Sequence, residues 1–269
     1  MTVLEALRAA RVDADIDARE ARLLLAHAMH AAEAHILGYP EEQVGEAAYA
    51  EFSRLLLRRK KGEPIAYMVG EKEFYGLTLE VTPAVLVPRP ETELLVELAL
   101  QREFSSLADL GTGSGAIAVA LKKHRPAARV VAVDASAAAL EVARRNAGRH
   151  GLAIEFRQGS WLVPLRGERF DLIVANPPYV AAGDAHLGEG DLRHEPPVAL
   201  TPGDDGLGAL RTIVGGAPAK LAPAGWLAVE HGYDQSAAVT ALFAEAGFAA
   251  IEIRRDLAGI RRVVAGRLG

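Results

Sequence analysis

Asn176-Pro177-Pro178-Tyr179 brings together one side-chain amide, two residues without a backbone N–H and one phenol. The tetrad follows Phe170–Val174, a mainly apolar run that reads as a buried strand. Two prolines remove two donors and fix two φ angles, and the first drives Asn176 out of the helical region. The chain therefore leaves the strand stiff and extended. The Asn176 side-chain oxygen and the Pro177 carbonyl can then each accept one N–H of a planar nitrogen. Held that way, an amide or exocyclic amine can rehybridise and aim its lone pair at a methyl group. Tyr179 can stack on a flat substrate and fix its plane, with Pro178 in the same rigid run. This is catalysis by positioning and electrostatics, with no covalent enzyme intermediate, strong base or metal.

Two further polar features stand at predicted strand ends. The first is DLGTGSGAI, Asp109 to Ile117, where Gly111, Gly113 and Gly115 alternate with Thr112 and Ser114. The glycines allow a tight turn and close approach to a ligand, and the helix that follows offers free N–H groups to an anion. The second is Asp134, ending RVVAVD, an acidic residue placed to accept both hydroxyls of a ribose. Strand, glycine loop, helix and acidic residue together read as a nucleoside-cofactor site. G-T-G-S-G-A also satisfies the dinucleotide pattern G-x-G-x-x-A, so these two features leave a nicotinamide cofactor open. The third feature decides. Hydride transfer has no use for a rigid acceptor cluster, whereas nitrogen methylation needs one, so the expected donor is the sulfonium S-adenosylmethionine.

The elements that must position these residues follow from the pattern of the chain. Residues 1–72 read as helical: Asp17 and Glu20 resemble a capping box, and Leu23, Leu24 and Ala28 repeat at helical spacing. Residues 73–88 alternate around a Gly-containing turn and read as a β-hairpin linker. From 89 to 269 strands and helices alternate, closing with an antiparallel pair, AAIEIRRD and RRVVAGR. The expected fold is α/β, a doubly wound, mostly parallel sheet that binds ligands beyond the carboxyl ends of its strands. The stretch from Val180 to Gly206 is long for a connection and reads as a lid or docking surface. It contains Asp184, Glu189, Asp191, Asp204 and Asp205, so it is a poor phosphate binder.

Composition narrows the function classes. There are no cysteines, so disulfides, thiolate metal sites and cysteine nucleophiles are excluded. His27, His30 and His35 lack carboxylates at ligand spacing, so no metal is expected. The N-terminus lacks the apolar core of a signal peptide, and no apolar run approaches the ~18 residues of a membrane span. These features give the expectation of a cytoplasmic protein. The net charge is −5, against a wide nucleic-acid footprint. The one dense basic run, Arg58, Arg59, Lys60 and Lys61, reads as a solvated helix end at the negative pole of the dipole.

LVPRPETE (86–93), DLGTGSGAIAVAL (109–121), Asp134, NPPY (176–179) and LAVEHG (227–232) together resemble the protein glutamine N5-methyltransferases, most closely those acting on the Gly-Gly-Gln loop of class I peptide chain release factors. The resemblance covers nearly the whole chain. Asn-Pro-Pro-Tyr alone is shared with adenine methyltransferases; PRPETE and the Glu-Pro of LRHEPPVAL narrow it to the glutamine group. The resemblance implies a seven-stranded methyltransferase domain behind a helical domain that recognises the protein substrate. It implies that Asp109, Gly111, Thr112, Gly113, Ser114, Gly115, Asp134, Trp161 and Asn176 hold the cofactor, Asp134 at the ribose and Trp161 by the adenine. Asn176, Pro177, Pro178 and Tyr179 would bind the glutamine amide. One departure stands out: Ser160 occupies the place before the aromatic where the family usually carries an acid. Arg89 and Glu91 read either as substrate contacts or as caps of the helix starting near Thr92. A monomer is expected.

Other readings stay in view. An N6-adenine methyltransferase would use the same acceptors on a flipped or single-stranded base and needs a basic groove. Residues 1–72 carry 10 Lys and Arg against 12 Asp and Glu, which fits a protein partner better. A ribosomal-protein glutamine methyltransferase would share most motifs. A nicotinamide-dependent oxidoreductase leaves the Asn-Pro-Pro-Tyr loop unexplained, and an intact Asn176 argues against a non-enzymatic scaffold.

Overall fold

The computed structural model describes residues 1–13, 16–188, 190–203 and 205–269. They fall into two compact units, Met1–Gly70 with Glu189–His194, and Glu71–Gly188 with Glu195–Gly269.

The first unit is helical: α1 (Val3–Asp13), α2 (Ala18–Ala28), α3 (Glu33–Gly38), α4 (Glu46–Lys60) and α5 (Ile65–Val69). Asp17 starts α2 by accepting the Arg19 N–H at 2.8 Å, satisfying one orphan donor of the first turn. Leu24, Leu25, Ile36, Phe52 and Leu55 are fully enclosed and form the centre of this unit's core. The basic run at the end of α4 differs from expectation. Arg59 reaches Glu20 on α2 at 2.7 Å and Asp191 at 2.6 Å, and Arg58 is paired with Glu63. Half of the run is thus engaged by carboxylates; Lys60 and Lys61 stay exposed.

The second unit opens with a hairpin, β1 (Glu71–Phe74) and β2 (Leu77–Glu80), followed by α6 (Glu93–Leu100). The hairpin begins two residues before the predicted 73–88 segment, and residues 81–89 carry no regular element. It packs on α8 (Ala137–Arg149), where Asn146 accepts the Glu80 N–H at 2.6 Å and donates to the Glu80 and Ser114 carbonyls at 2.9 and 2.8 Å. One enclosed amide therefore ties the hairpin to the glycine loop.

The remaining elements are β3 (Ser106–Leu110), α7 (Ala116–His124), β4 (Arg129–Asp134), β5 (Glu155–Gln158), β6 (Phe170–Ala175), α9 (Gly208–Gly216), β7 (Leu221–Glu230), α10 (Ser236–Glu245), β8 (Phe248–Arg255) and β9 (Arg261–Leu268). They build one sheet of seven strands in the order β5-β4-β3-β6-β7-β9-β8. β3 through β7 run parallel, and β9 is antiparallel to both β7 and β8. The doubly wound fold and the closing antiparallel pair are as the sequence led one to expect. Helices cover both faces, so central strands are apolar on both sides: Leu107, Leu172 and Ala228 face one core, and Val131, Ile173 and Val229 the other. The direction of strand order reverses between β3 and β6, which opens a crevice at their carboxyl ends.

Val180 to Gly206 is less irregular than its sequence implied. Its described residues include three single 3-10 turns, Ala185–Gly188, Leu192–His194 and Pro197–Ala199. The Val180 N–H donates to the Leu200 carbonyl at 2.9 Å and folds the stretch back on itself. Of its six acidic residues, Glu189 and Asp204 lie outside the described residues. No helix among the described residues is long and apolar enough to cross a membrane.

Candidate active site

At the end of β3 the chain turns through Gly111, Gly113 and Gly115, all with positive φ (+74°, +55° and +83°). At Gly111 the lack of a side chain is also a matter of space, since a Cβ would stand 3.0 Å from the Trp161 ring. Beneath the loop, Asp109 is fully buried and accepts the Thr112 hydroxyl at 2.6 Å. Burial pushes its carboxyl up to about 7. Asp109 does not reach the cavity wall, contrary to its expected place among the cofactor contacts. It fastens Thr112, which does.

Asp134 ends β4, one strand away. Its two oxygens accept the Gly113 and Ser136 N–H groups, each at 2.9 Å. Burial raises its pKa and these backbone donors pull the other way. The carboxylate thus links the glycine loop to the start of α8, which Ser136 caps by accepting the Ala139 N–H at 3.1 Å.

These residues open onto a cavity of about 220 Å³. Gly111, Thr112, Gly113, Ser114, Asp134 and Trp161 lie on its wall; so do Asn176, Pro178, Arg89 and Ser160. Gly115, Pro177, Tyr179 and Glu91 are not on it. Gly115 serves packing, since a Cβ there would meet the Ala143 Cβ of α8 at 3.1 Å. Trp161 itself has a positive φ of 46°, a conformation that is strained for a non-glycine residue and that places its ring over Gly111. A flat aromatic, a strand-terminal carboxylate and a side-chain-free loop at a helix start fit a nucleoside with a charged tail. The residues present therefore fit S-adenosylmethionine.

The Asn-Pro-Pro-Tyr loop follows β6, on the other side of the crevice. The Asn176 amide nitrogen donates to the Thr92 hydroxyl oxygen at 3.1 Å. Thr92 is buried, with its hydroxyl near the Glu230 carboxylate at the end of β7. The Tyr179 hydroxyl donates to Glu230, at 3.4 Å. The Tyr179 carbonyl accepts the Gln235 side-chain amide at 2.9 Å, and Gln235 accepts the Gly232 N–H at 2.9 Å. Gly206 passes so close that a Cβ there would stand 2.3 Å from the Tyr179 carbonyl oxygen. Enclosure pushes Glu230 up to about 7 and raises the Tyr179 phenol above its ordinary value, with the Glu230 charge adding to the latter. In this structure Tyr179 anchors the loop from behind and does not face the cavity, where stacking on a substrate was expected.

Arg89 neither caps α6 nor stands free. It is paired with Glu195, whose side chain is wholly buried and which also accepts the Val87 N–H at 3.1 Å. This pair laces residues 86–89 to the turn at 195–199, where Pro196, Val198 and Ala199 complete the cavity wall. Thr92, Glu195, Glu230 and Gln235 were given no role by the sequence reading. The first three lie inside motifs that carried the family resemblance; Gln235 lies in none.

Comparison with known proteins places this geometry. The family model described as "Methyltransferase small domain" matches residues 90–190, and "PrmC N-terminal domain" matches residues 3–70. The "Release factor glutamine methyltransferase" of Burkholderia pseudomallei is 50% identical over 278 residues, covering 99% of this chain and 96% of that protein. The protein of the same name from Vibrio cholerae is 43% identical over 279 residues, covering 99% and 97%. Among solved structures, a methyltransferase from Pyrococcus furiosus is 19% identical with a TM-score of 0.57, over 81% of this chain and 99% of that one. The Thermus thermophilus 16S rRNA N2 G1207 methyltransferase, solved with AdoMet and guanosine, is 22% identical with a TM-score of 0.54, over 74% and 50%. The two solved structures share the fold.

Proposed function

The chain belongs to the release factor glutamine methyltransferase family, and from that premise we propose how this site performs the reaction and on what. The enzyme transfers a methyl group from S-adenosylmethionine to the side-chain amide nitrogen of the glutamine in the Gly-Gly-Gln motif of class I peptide chain release factors, a modification of the termination machinery. S-Adenosylmethionine, when bound, supplies an activated methyl on a cationic sulfur.

The chain's own residues do the rest. Gly111 to Ser114 leave room for the methionyl part. Asp134 accepts from the ribose, and Trp161 lies against the adenine with Ser160 beside it. Ser160 gives the adenine amino group a neutral acceptor, weaker than a carboxylate. Asn176 Oδ1 and the Pro177 carbonyl accept the two N–H groups of the glutamine amide, which turns its lone pair toward the methyl group. Pro178 and Arg89 line the same wall. The departing proton needs no strong base, since the methylated nitrogen is already acidic. The helical unit recognises the release factor. The enzyme works as a cytoplasmic monomer without nucleic acid.

One observation carries this reading: Asn176 is held at a strand end on the wall of the cavity that Asp134 and the glycine loop line. The test offers labelled S-adenosylmethionine with purified release factor, its Gly-Gly-Ala variant or single-stranded adenine-containing nucleic acid. Label on the wild-type factor alone is expected. Label on nucleic acid alone would reassign the enzyme to adenine chemistry.

A further inference from the structure

Asn146 of α8 stands away from the cavity wall and is fully enclosed. An enclosed primary amide is costly unless its oxygen and its NH2 group are both paired. Here both are. The oxygen accepts the Glu80 N–H at 2.6 Å, and the nitrogen donates to the Glu80 carbonyl at 2.9 Å and to the Ser114 carbonyl at 2.8 Å. Only this orientation of the amide sets donor against acceptor in every bond. The bond to Ser114 falls on a peptide with little freedom left. The Gly115 N–H of the same peptide plane donates to the Thr112 carbonyl at 2.8 Å. Both polar groups of the Ser114–Gly115 peptide are thus committed, and its plane is set. That plane leads into Ala116 and Ile117, which lie on the cavity wall at the start of α7. Asp134, itself on the wall, holds the loop from the cavity side through the Gly113 N–H. Asn146 holds it from the helix side.

We propose that Asn146 is a positioning residue for the cofactor: by fixing the Ser114–Gly115 peptide it sets the cavity-facing start of α7, and it makes cofactor affinity depend on the seating of the β1–β2 hairpin. Its neighbours on α8 hold the same hairpin by other means. Arg145 pairs with Glu80 at 2.8 Å, Arg149 pairs with Glu71 at 3.2 Å, and His150 Nε2 donates to the Thr78 carbonyl at 2.9 Å. Arg145 and Arg149 are exposed, where an ion pair contributes little. Of these four residues, Asn146 is the one that reaches on to the glycine loop. Coupling of this kind is reciprocal. If the Asn146 bonds favour the cofactor, the bound cofactor must favour the Asn146 bonds, including the one to the Glu80 N–H. Glu80 does not line the cavity, so a response there reports the connection and not a contact.

The inference rests on the cofactor side of the methyl-transfer reading, and the test separates the two. Calorimetric Kd for S-adenosylmethionine, kcat at saturating cofactor and thermal melting are measured for wild-type enzyme, Asn146→Ala, Asn146→Asp and Arg145→Ala. Asn146→Ala removes the bonds to Glu80 and Ser114 together. Its Kd is expected to rise about tenfold, with kcat at saturating cofactor within about threefold of wild type. Asn146→Asp keeps an acceptor for the Glu80 N–H but turns a carboxylate oxygen toward two carbonyls, so its Kd should rise at least as far. Arg145→Ala breaks an exposed pair to the same hairpin and should leave Kd within about twofold. Should the Asn146 variants fail to fold, amide hydrogen exchange in the wild-type enzyme decides. Saturating S-adenosylmethionine should then slow the Glu80 amide about tenfold more than the other amides of the hairpin. Three results overturn the inference and leave the methyl-transfer reading standing: a Kd in Asn146→Ala within about threefold of wild type, an Arg145→Ala as impaired as Asn146→Ala, or a Glu80 amide that responds to cofactor no more than its neighbours. A wild-type enzyme that binds no S-adenosylmethionine overturns both.

Discussion

The two loops that face each other across the crevice are shaped by different means. The loop after β3 is a backbone device: positive φ at three glycines and the room that a missing side chain leaves under Trp161. The loop after β6 is held by side chains brought from elsewhere: Thr92 on Asn176, Glu230 on Tyr179 and Gln235 on the Tyr179 carbonyl. The first binds, by offering space and N–H groups. The second orients, by fixing a few polar atoms in enclosed surroundings where each bond counts more. Damage to one should therefore appear in cofactor affinity and damage to the other in turnover.

Asn176→Ala is the sharpest way to break that division. It removes the acceptor for the glutamine amide, and kcat should drop about a thousandfold while S-adenosylmethionine still binds by calorimetry. Loss of cofactor binding in parallel would mean that the two loops are not separate in function. Gly111→Val makes the opposite cut. A side chain at φ +74°, pressed against the Trp161 ring, should weaken cofactor binding by about 2–3 kcal/mol, near a hundredfold in Kd. With saturating cofactor, turnover should largely return; a kcat that stays low would contradict the assignment.

The enclosed carboxylate of the orienting loop makes a prediction in pH. Glu230 is raised from 4.5 to about 7 by burial. A folded pKa above the unfolded one gives stability that is fully present below pH 4.5 and lost as pH rises through about 7. Glu230→Gln removes that dependence, so its melting point relative to wild type should improve between pH 5 and 8, by up to about 3 kcal/mol in stability. Asp109, raised to about 7 beneath the other loop, contributes the same sign in both proteins and cancels in the difference. An unchanged difference across that range would place the Glu230 titration elsewhere. Smaller again is Gln235→Ala, which removes one hydrogen bond that ties the loop to the β7–α10 turn and one within that turn. It should cost about 1–2 kcal/mol in denaturant unfolding and change kcat only a few-fold.

The same contrast explains what was legible in the sequence. Strand, glycine loop, helix and Asp134 follow one another along the chain, so local spacing carried the fold and the cofactor side of the site. Asn-Pro-Pro-Tyr announced itself by residue type. Its supports did not: Thr92 lies 84 residues from Asn176, Glu230 lies 51 from Tyr179, and Glu195 lies 106 from Arg89. Those partnerships are made by sheet order, which brings β6 beside β7 and the 86–93 segment over both. Tyr179 was read as a stacking platform because its type permits it; only the fold shows Glu230 behind it. Arg59 was read as part of a solvated helix end because its partner Asp191 lies 132 positions away.

The most direct test of the whole account is a crystal structure of the enzyme with S-adenosylhomocysteine and a glutamine peptide carrying the Gly-Gly-Gln sequence. The glutamine amide nitrogen should lie about 3 Å from Asn176 Oδ1, with Asn176 Nδ2 still on Thr92 and the cofactor sulfur beyond the amide. An amide bound away from Asn176, or an Asn176 that presents its nitrogen to the substrate, would contradict the account.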